Sequence, residues 1–255
     1  MAEEQKVLSS VHNAIRILRE FSLAEKELGI SELSQRLGLA KSTVFRLMKT
    51  LHEDHLVEKN EETQKYHLGL TAFEIGFNVY HTLEIRLVAL PLLDRLMHSV
   101  RKVVRLGVYN QGGVVYIIRR APENDVSTVS KIGNRVPAYC TAIGKVLLAH
   151  KPEEEIDKVL SAPLKAYTPR TVVSPGELRK QLAEIKQAGY AVTSEELRPG
   201  VSSVAVPIFN DAGDAIAALS VTGMKSFFYT AQINYYVKEL KTYSRLITEK
   251  LGLKQ

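Results

Sequence analysis

Residues 30–51, ISELSQRLGLAKSTVFRLMKTL, constrain the fold of this chain more than any other stretch. They read as two short helices broken at Gly38. The second helix buries Val44, Leu47, Met48 and Leu51 at helical spacing and turns Ser42, Thr43, Arg46 and Lys49 outward. That arrangement predicts a helix-turn-helix whose second helix enters the major groove of duplex DNA. An ordinary helical hairpin inside an α-domain is the alternative. On the predicted face, Ser42 and Thr43 can reach phosphates or base edges, Arg46 suits a bidentate contact to guanine, and Lys49 suits a phosphate.

The flanks extend this reading. Ser10 is expected to cap a first helix with Val11, Ala14, Ile15, Leu18 and Phe21 on its buried side. Ser31 is expected to cap the second helix, with Gln35 too far along for a capping box. The third helix should run over 41–54. Residues 56–59 and 65–68 then read as two short strands around the polar turn 60–64. Such a hairpin is a wing, able to lie along phosphates or a minor groove. It carries Lys59, Lys65 and His67 beside Glu61 and Glu62, and Lys65 joins the candidate DNA contacts.

Bulk charge adds little to this. The net charge is +6 at pH 7, mildly favourable for a polyanion. Residues 1–60, however, hold nine Lys+Arg and nine Asp+Glu. Only 41–50 is one-signed, with Lys41, Arg46 and Lys49 and no acid, so placement on one helix face carries the argument. No apolar run reaches the ~18–20 residues of a membrane span, and no apolar signal core follows the polar N-terminus. A cytoplasmic protein is expected. The single cysteine, Cys140, forms no internal disulfide and supplies no metal cluster. No cofactor or metal is expected.

Beyond residue 70 the helical pattern returns up to about 100. Phe73, Ile75, Phe77 and Tyr80 make it too apolar for a solvated linker, which suggests packing against a second copy of the chain. Pro91 is expected to start a new helical turn whose buried side is Leu92, Leu93, Leu96 and Met97. Strands are expected at 103–110, 114–119, 128–132, 190–193, 202–209 and 215–221. Helices are expected at 142–150, 153–160, 176–188 and 230–251. Strands in hairpins with helices around them imply an α+β domain on an antiparallel sheet.

Two motifs in this second half suit a ligand. Thr141 can cap a helix starting at Ala142, leaving the N–H groups of Ala142 and Ile143 at a positive helix end fit for a carboxylate or phosphate. Gly144 would let a ligand or a strand come close. Ser220 and Thr222 lie two apart on a strand, so both hydroxyls face one side, and Ser203 on a partner strand could share it. A cap without a ligand and a solvated sheet face are the plainer readings. Nothing is placed for catalysis: Cys140 lacks a nearby histidine partner, and His52 and His55 lack a third metal ligand. Arg105, on an early strand, is expected at the surface, with a second ligand charge as the alternative.

Taken together, residues 33–51, 137–149, 195–207 and 218–223 resemble the IclR family of bacterial transcriptional regulators, in the family's order and across about 10–251. The resemblance implies a winged helix-turn-helix over 1–70, a linker and dimerisation helix over 71–84, and a GAF-like effector-binding domain over 85–255. It implies a ligand-responsive regulator rather than an enzyme, more a repressor than an activator, whose partners are operator DNA and a small organic acid. It implies homodimers, often paired into tetramers, and no membrane partner. By the same resemblance Ala142 and Ile143 hold the acid through backbone N–H groups, Ser203, Ser220 and Thr222 complete the cradle, and Thr193 contributes. Tyr139 departs from the family's usual histidine and Cys140 from its usual small residue. Tyr139 could favour a larger or aromatic acid, or only pack.

Overall fold

The computed structural model describes residues 8–22, 25–123 and 132–252. It divides into two compact units, 1–82 and 83–255.

In the first unit α1 (Ser9–Glu20), α2 (Ile30–Leu37) and α3 (Lys41–Glu53) precede a hairpin of β1 (Val57–Lys59) and β2 (Tyr66–Leu68), and α4 (Leu70–Thr82) ends the unit. Gly38 ends α2 with φ +65° and returns its N–H to the Ser34 carbonyl. That left-handed conformation is one that glycine adopts at little cost, and it lets α3 leave in a new direction. The core joins Ile17, Phe21, Leu28, Leu33, Leu37, Val44, Met48, Leu51, Val57 and Tyr66. Leu28 bridges Tyr66 through two backbone hydrogen bonds of 2.9 and 3.0 Å, adding an edge to the hairpin.

Three local expectations change here. α1 starts at Ser9, so Ser10 is helical rather than its cap, and Ile17 is the buried residue while Val11 and Ile15 stand exposed. α2 starts at Ile30 with Gly29 as its N-cap. Glu32, not Gln35, reaches back to the Gly29 N–H at 2.7 Å. One acidic side chain three residues in thus satisfies a free helix-start donor.

The second unit opens with α5 (Glu84–Val100) and continues with β3 (Val103–Asn110), β4 (Gly113–Arg120), β5 (Arg135–Pro137), α6 (Ala142–Leu148), α7 (Glu153–Ser161), α8 (Pro175–Ala188), β6 (Ala191–Ser194), β7 (Val201–Phe209), β8 (Ala215–Met224) and α9 (Thr230–Gly252). Among the described residues the strands form one sheet in the order β5-β4-β3-β8-β7-β6, antiparallel throughout. Gln111 and Gly112, with φ +46° and +74°, make the two-residue turn between β3 and β4, a turn type matched to strand twist.

Alternation along the strands decides the layers. Val204, Val206, Ile208, Ala217, Leu219 and Val221 face α5 and α9 in one core. Ala205 and Ala218 face α6 in the other. Pro91 lies inside α5 rather than at a new start. Its missing N–H costs one helical bond, which the burial of Leu92, Leu93 and Leu96 offsets. The strand expected at 128–132 falls mainly on residues outside the described ones. The strand β5, at 135–137, is not among the strands expected from the sequence. No helix among the described residues is long and apolar enough to cross a membrane.

Candidate nucleic-acid interface and ligand cavity

α3 presents the first candidate surface. Lys41, Ser42, Thr43, Arg46 and Lys49 are all exposed, while Val44, Met48 and Leu51 are buried in the core of their unit. The Arg46 guanidinium makes no hydrogen bond or ion pair to any described residue. Lys49 lies 3.9 Å from Glu53 one turn on, with both side chains about two-thirds exposed (67% and 65%). A pair so open to water contributes little and leaves the ammonium available.

Lys65 sits differently. It is half-buried on the wing, and its ammonium meets Glu32 at 2.8 Å. The same carboxylate holds the Gly29 N–H, so Glu32 ties the wing to the start of α2. Glu27 makes a second tie, accepting from Asn60 Nδ2 and Thr63 Oγ1, each at 2.8 Å. These bonds favour the ionised forms. Lys65 holds the Glu32 carboxyl below the usual carboxylate range, and Asn60 and Thr63 do the same for Glu27.

In the second unit a small cavity, about 50 Å³, lies between the sheet and the start of α6. Register builds its floor. Ser203 stands opposite Thr193 on one side and Thr222 on the other. Ser220 stands between Ala205 and Arg105. Thr193, Ser203, Ser220 and Thr222 therefore share the α6 side of the sheet, and all four line the cavity. Ser203 Oγ and Thr222 Oγ1 are 2.8 Å apart, and Ser203 also donates to the Val221 carbonyl at 3.1 Å. The hydroxyls of Thr193 and Ser220 make no hydrogen bond to a described residue, although these residues are only 6% and 2% exposed.

Ala142 and Ile143 open α6 at the other wall. Thr141 caps the helix as expected, its Oγ1 accepting from Gly144 N at 3.2 Å. The first N–H groups of a helix have no carbonyl one turn back. Gly144 serves the chain rather than a ligand. A Cβ there would fall 2.3 Å from the Ala138 carbonyl oxygen and 2.4 Å from its Cα, so glycine lets residue 138 cross the helix start.

Sequence reasoning missed several lining groups. Arg105 is buried at 3% exposure, not at the surface, with its guanidinium 5.5 Å from the centre of the Tyr116 ring, and both line the cavity with Cys140 and Glu196. Behind Glu196, Lys145 Nζ lies 2.7 Å from each carboxylate oxygen and from Gln181 Oε1. Burial pushes the Glu196 carboxyl up while the Lys145 ammonium pulls it down, and the upward effect prevails. Burial also pushes the Cys140 thiol up to about 12, which keeps it protonated and a poor nucleophile at neutral pH. A lysine amid the otherwise apolar α6 was a legible sign of a buried partner. Glu196, far along the chain, carried no matching sign.

Tyr139 packs among Leu148, Ile156 and Leu178 and is not part of the cavity lining. Its hydroxyl donates to the Lys165 carbonyl at 2.7 Å.

The chain is similar to known transcriptional regulators. Residues 77–249 match the family described as "Bacterial transcriptional regulator IclR C-terminal", and residues 10–61 match "IclR helix-turn-helix domain". The HTH-type transcriptional regulator KdgR of Dickeya chrysanthemi is 35% identical over 96% of this chain and 80% of its own. XynR of Escherichia coli strain K12 is 34% identical over 96% and 98%. The HTH-type transcriptional repressor AllR of Klebsiella pneumoniae is 29% identical over 98% and 92%. Among solved structures, an IclR transcriptional regulator from Alicyclobacillus acidocaldarius superposes with a TM-score of 0.82 at 28% identity, covering 96% of this chain and 99% of that one. An IclR homologue from Microbacterium hydrocarbonoxydans, complexed with 4-hydroxybenzoate, gives 0.78 at 27%, covering 96% and 99%.

Proposed function

The chain belongs to the IclR family of bacterial transcriptional regulators, and we propose that it is a repressor whose grip on operator DNA is set by a small organic acid. Lys41, Ser42, Thr43, Arg46 and Lys49 on α3 contact the duplex, and Lys65 adds a wing contact by sharing itself between Glu32 and phosphate. The acid occupies the cavity, on the Ala142 and Ile143 N–H groups and the hydroxyls of Thr193, Ser203, Ser220 and Thr222. The chain acts as a regulator, not as an enzyme.

One observation carries the ligand reading: Thr193 and Ser220 hold nearly buried hydroxyls, open to the cavity and bonded to no described residue. Buried polar groups are ordinarily satisfied, by protein, water or ligand. The aromatic acid in the Microbacterium homologue supports an acid as occupant, and the repressor named among the relatives supports the sign. α4 supports a homodimer: it buries none of its residues and exposes Leu70, Phe73 and Phe77 along one side and Ile75 and Val79 on the other, an apolar surface suited to a second copy.

The mechanism needs two coupled equilibria. The acid prefers one arrangement of the dimer and the operator prefers one spacing of its two α3 helices, so each changes the other's affinity by the same factor. The half-sites then lie one helical turn apart, or a multiple. A thermal-shift screen of organic acids, 4-hydroxybenzoate included, should give a saturable rise in melting temperature. Gel shifts on DNA flanking the gene should then change with the acid that binds. A panel with no shift in any acid would leave a DNA-binding protein without effector.

A further inference from the structure

Phe45 has no place in the head core and no place in the contacts assigned above. It is 53% exposed, on a helix whose other large apolar side chains, Val44, Met48 and Leu51, are buried. Leu47 is partly buried against the same core. Side chains four apart on a helix stand one above the other, so Phe45 lies in a row between Lys41 and Lys49. Arg46 and Ser42 occupy the adjoining row, and all of these side chains are exposed. Among the described residues, the acid paired with a cation of this face is Glu53, beside Lys49. A bare phenyl ring framed by cations and hydroxyls fits a polyanion that also offers an apolar spot. The major groove offers one such spot, the 5-methyl group of thymine.

We propose that Phe45 is a specificity-determining residue that reads a thymine methyl in each half-site, with Lys41 and Lys49 on the phosphates that flank it. The inference rests on α3 being the DNA-reading helix and adds which base it selects. The ring makes no hydrogen bond, so its preference is for the methyl itself. It should distinguish thymine from uracil, which pairs identically and lacks only that group.

The test uses the full chain. Selection from a randomised duplex library defines the preferred site, and each thymine in a half-site is replaced singly by deoxyuridine. Affinity is read by fluorescence anisotropy at one fixed salt concentration, because phosphate contacts make it salt-dependent. One uracil position should weaken the wild-type chain roughly fourfold, the effect of one buried methyl-sized group. Phe45→Ala should weaken binding at least as much and lose all discrimination at that position alone. Phe45→Leu should keep part of it, which separates a lost contact from a disturbed helix. Equal uracil sensitivity in wild type and Phe45→Ala, or a selected half-site without thymine, overturns the proposal. A changed oligomeric mass in Phe45→Ala with unchanged DNA affinity overturns it in favour of a contact between copies. If an enriched site depends on Arg46 but not on Phe45, only this inference falls. If no sequence is enriched, the assignment of α3 falls with it.

Discussion

α3 carries its candidate DNA-contacting groups within residues 41–49, whereas the cavity draws on β3, β4, β6, β7, β8 and α6 across residues 105–222. The first surface needs only a helix with one apolar face, so neighbours in sequence become neighbours in space. The second exists only once strand register sets Thr193, Ser203 and Thr222 in one row and Ala205, Ser220 and Arg105 in the next. A one-residue slip would turn every hydroxyl into the opposite core. Local surfaces therefore tolerate mutation side chain by side chain, while the cavity depends on packing that holds its walls in place.

The Lys145–Glu196 pair tests that dependence most severely. Lys145 is 2% exposed, and Glu196 is nearly as buried. Lys145→Met should destabilise the 83–255 unit by about 3–5 kcal/mol in urea denaturation, because it leaves a buried carboxylate without its partner. Lys145→Met with Glu196→Leu should recover most of that loss. A single-mutant cost near zero would mean that the walls do not rely on this pair. Arg46→Ala tests the local side. It should weaken specific operator binding by about 1–3 kcal/mol and leave the denaturation curve unchanged, since the exposed Arg46 guanidinium bonds to no described residue. An unchanged footprint would remove α3 from the DNA contact.

Ser220→Ala with Thr222→Val should lower effector affinity by roughly 0.5–1.5 kcal/mol per lost hydrogen bond. DNA binding without effector should stay intact, and loss of both activities together would show a folding defect instead. The smallest effect concerns pH. Arg36, Asn60 and Lys65 hold the Glu25, Glu27 and Glu32 carboxyls below 4.5. A carboxyl lowered in the folded state stabilises above its unfolded value and gives this up as pH falls through the folded one. Glu196 is raised, so its contribution instead declines as pH climbs from 4.5 towards its folded value. Amide protection factors in the wing, taken relative to the intrinsic exchange rate at each pH, should therefore fall on acidification below about pH 4.5, and Glu32→Gln should flatten part of that response. An acid response unaltered in Glu32→Gln would show that this tie does not hold the wing.

Particular residues mark where sequence reasoning ran out. Val44, Met48 and Leu51 fall where the periodicity places them, and so do Thr141 as a cap and the shared face of Ser203, Ser220 and Thr222. Arg105 does not: an arginine on a strand reads as solvated until its neighbours are known, yet it is enclosed beside Tyr116. Tyr139 and Gly144 sit beside the cavity in sequence but answer to other contacts, the Lys165 carbonyl and the backbone of Ala138.

By itself the sequence determined the head, its outward-facing α3 and the antiparallel sheet, because helical and strand periodicities and turn residues act over a few positions. Only the tertiary structure decided which residues enclose the cavity and that Lys145 and Glu196 form a buried ion pair. Those relations join groups distant along the chain, and they follow from register and packing, which no local pattern encodes.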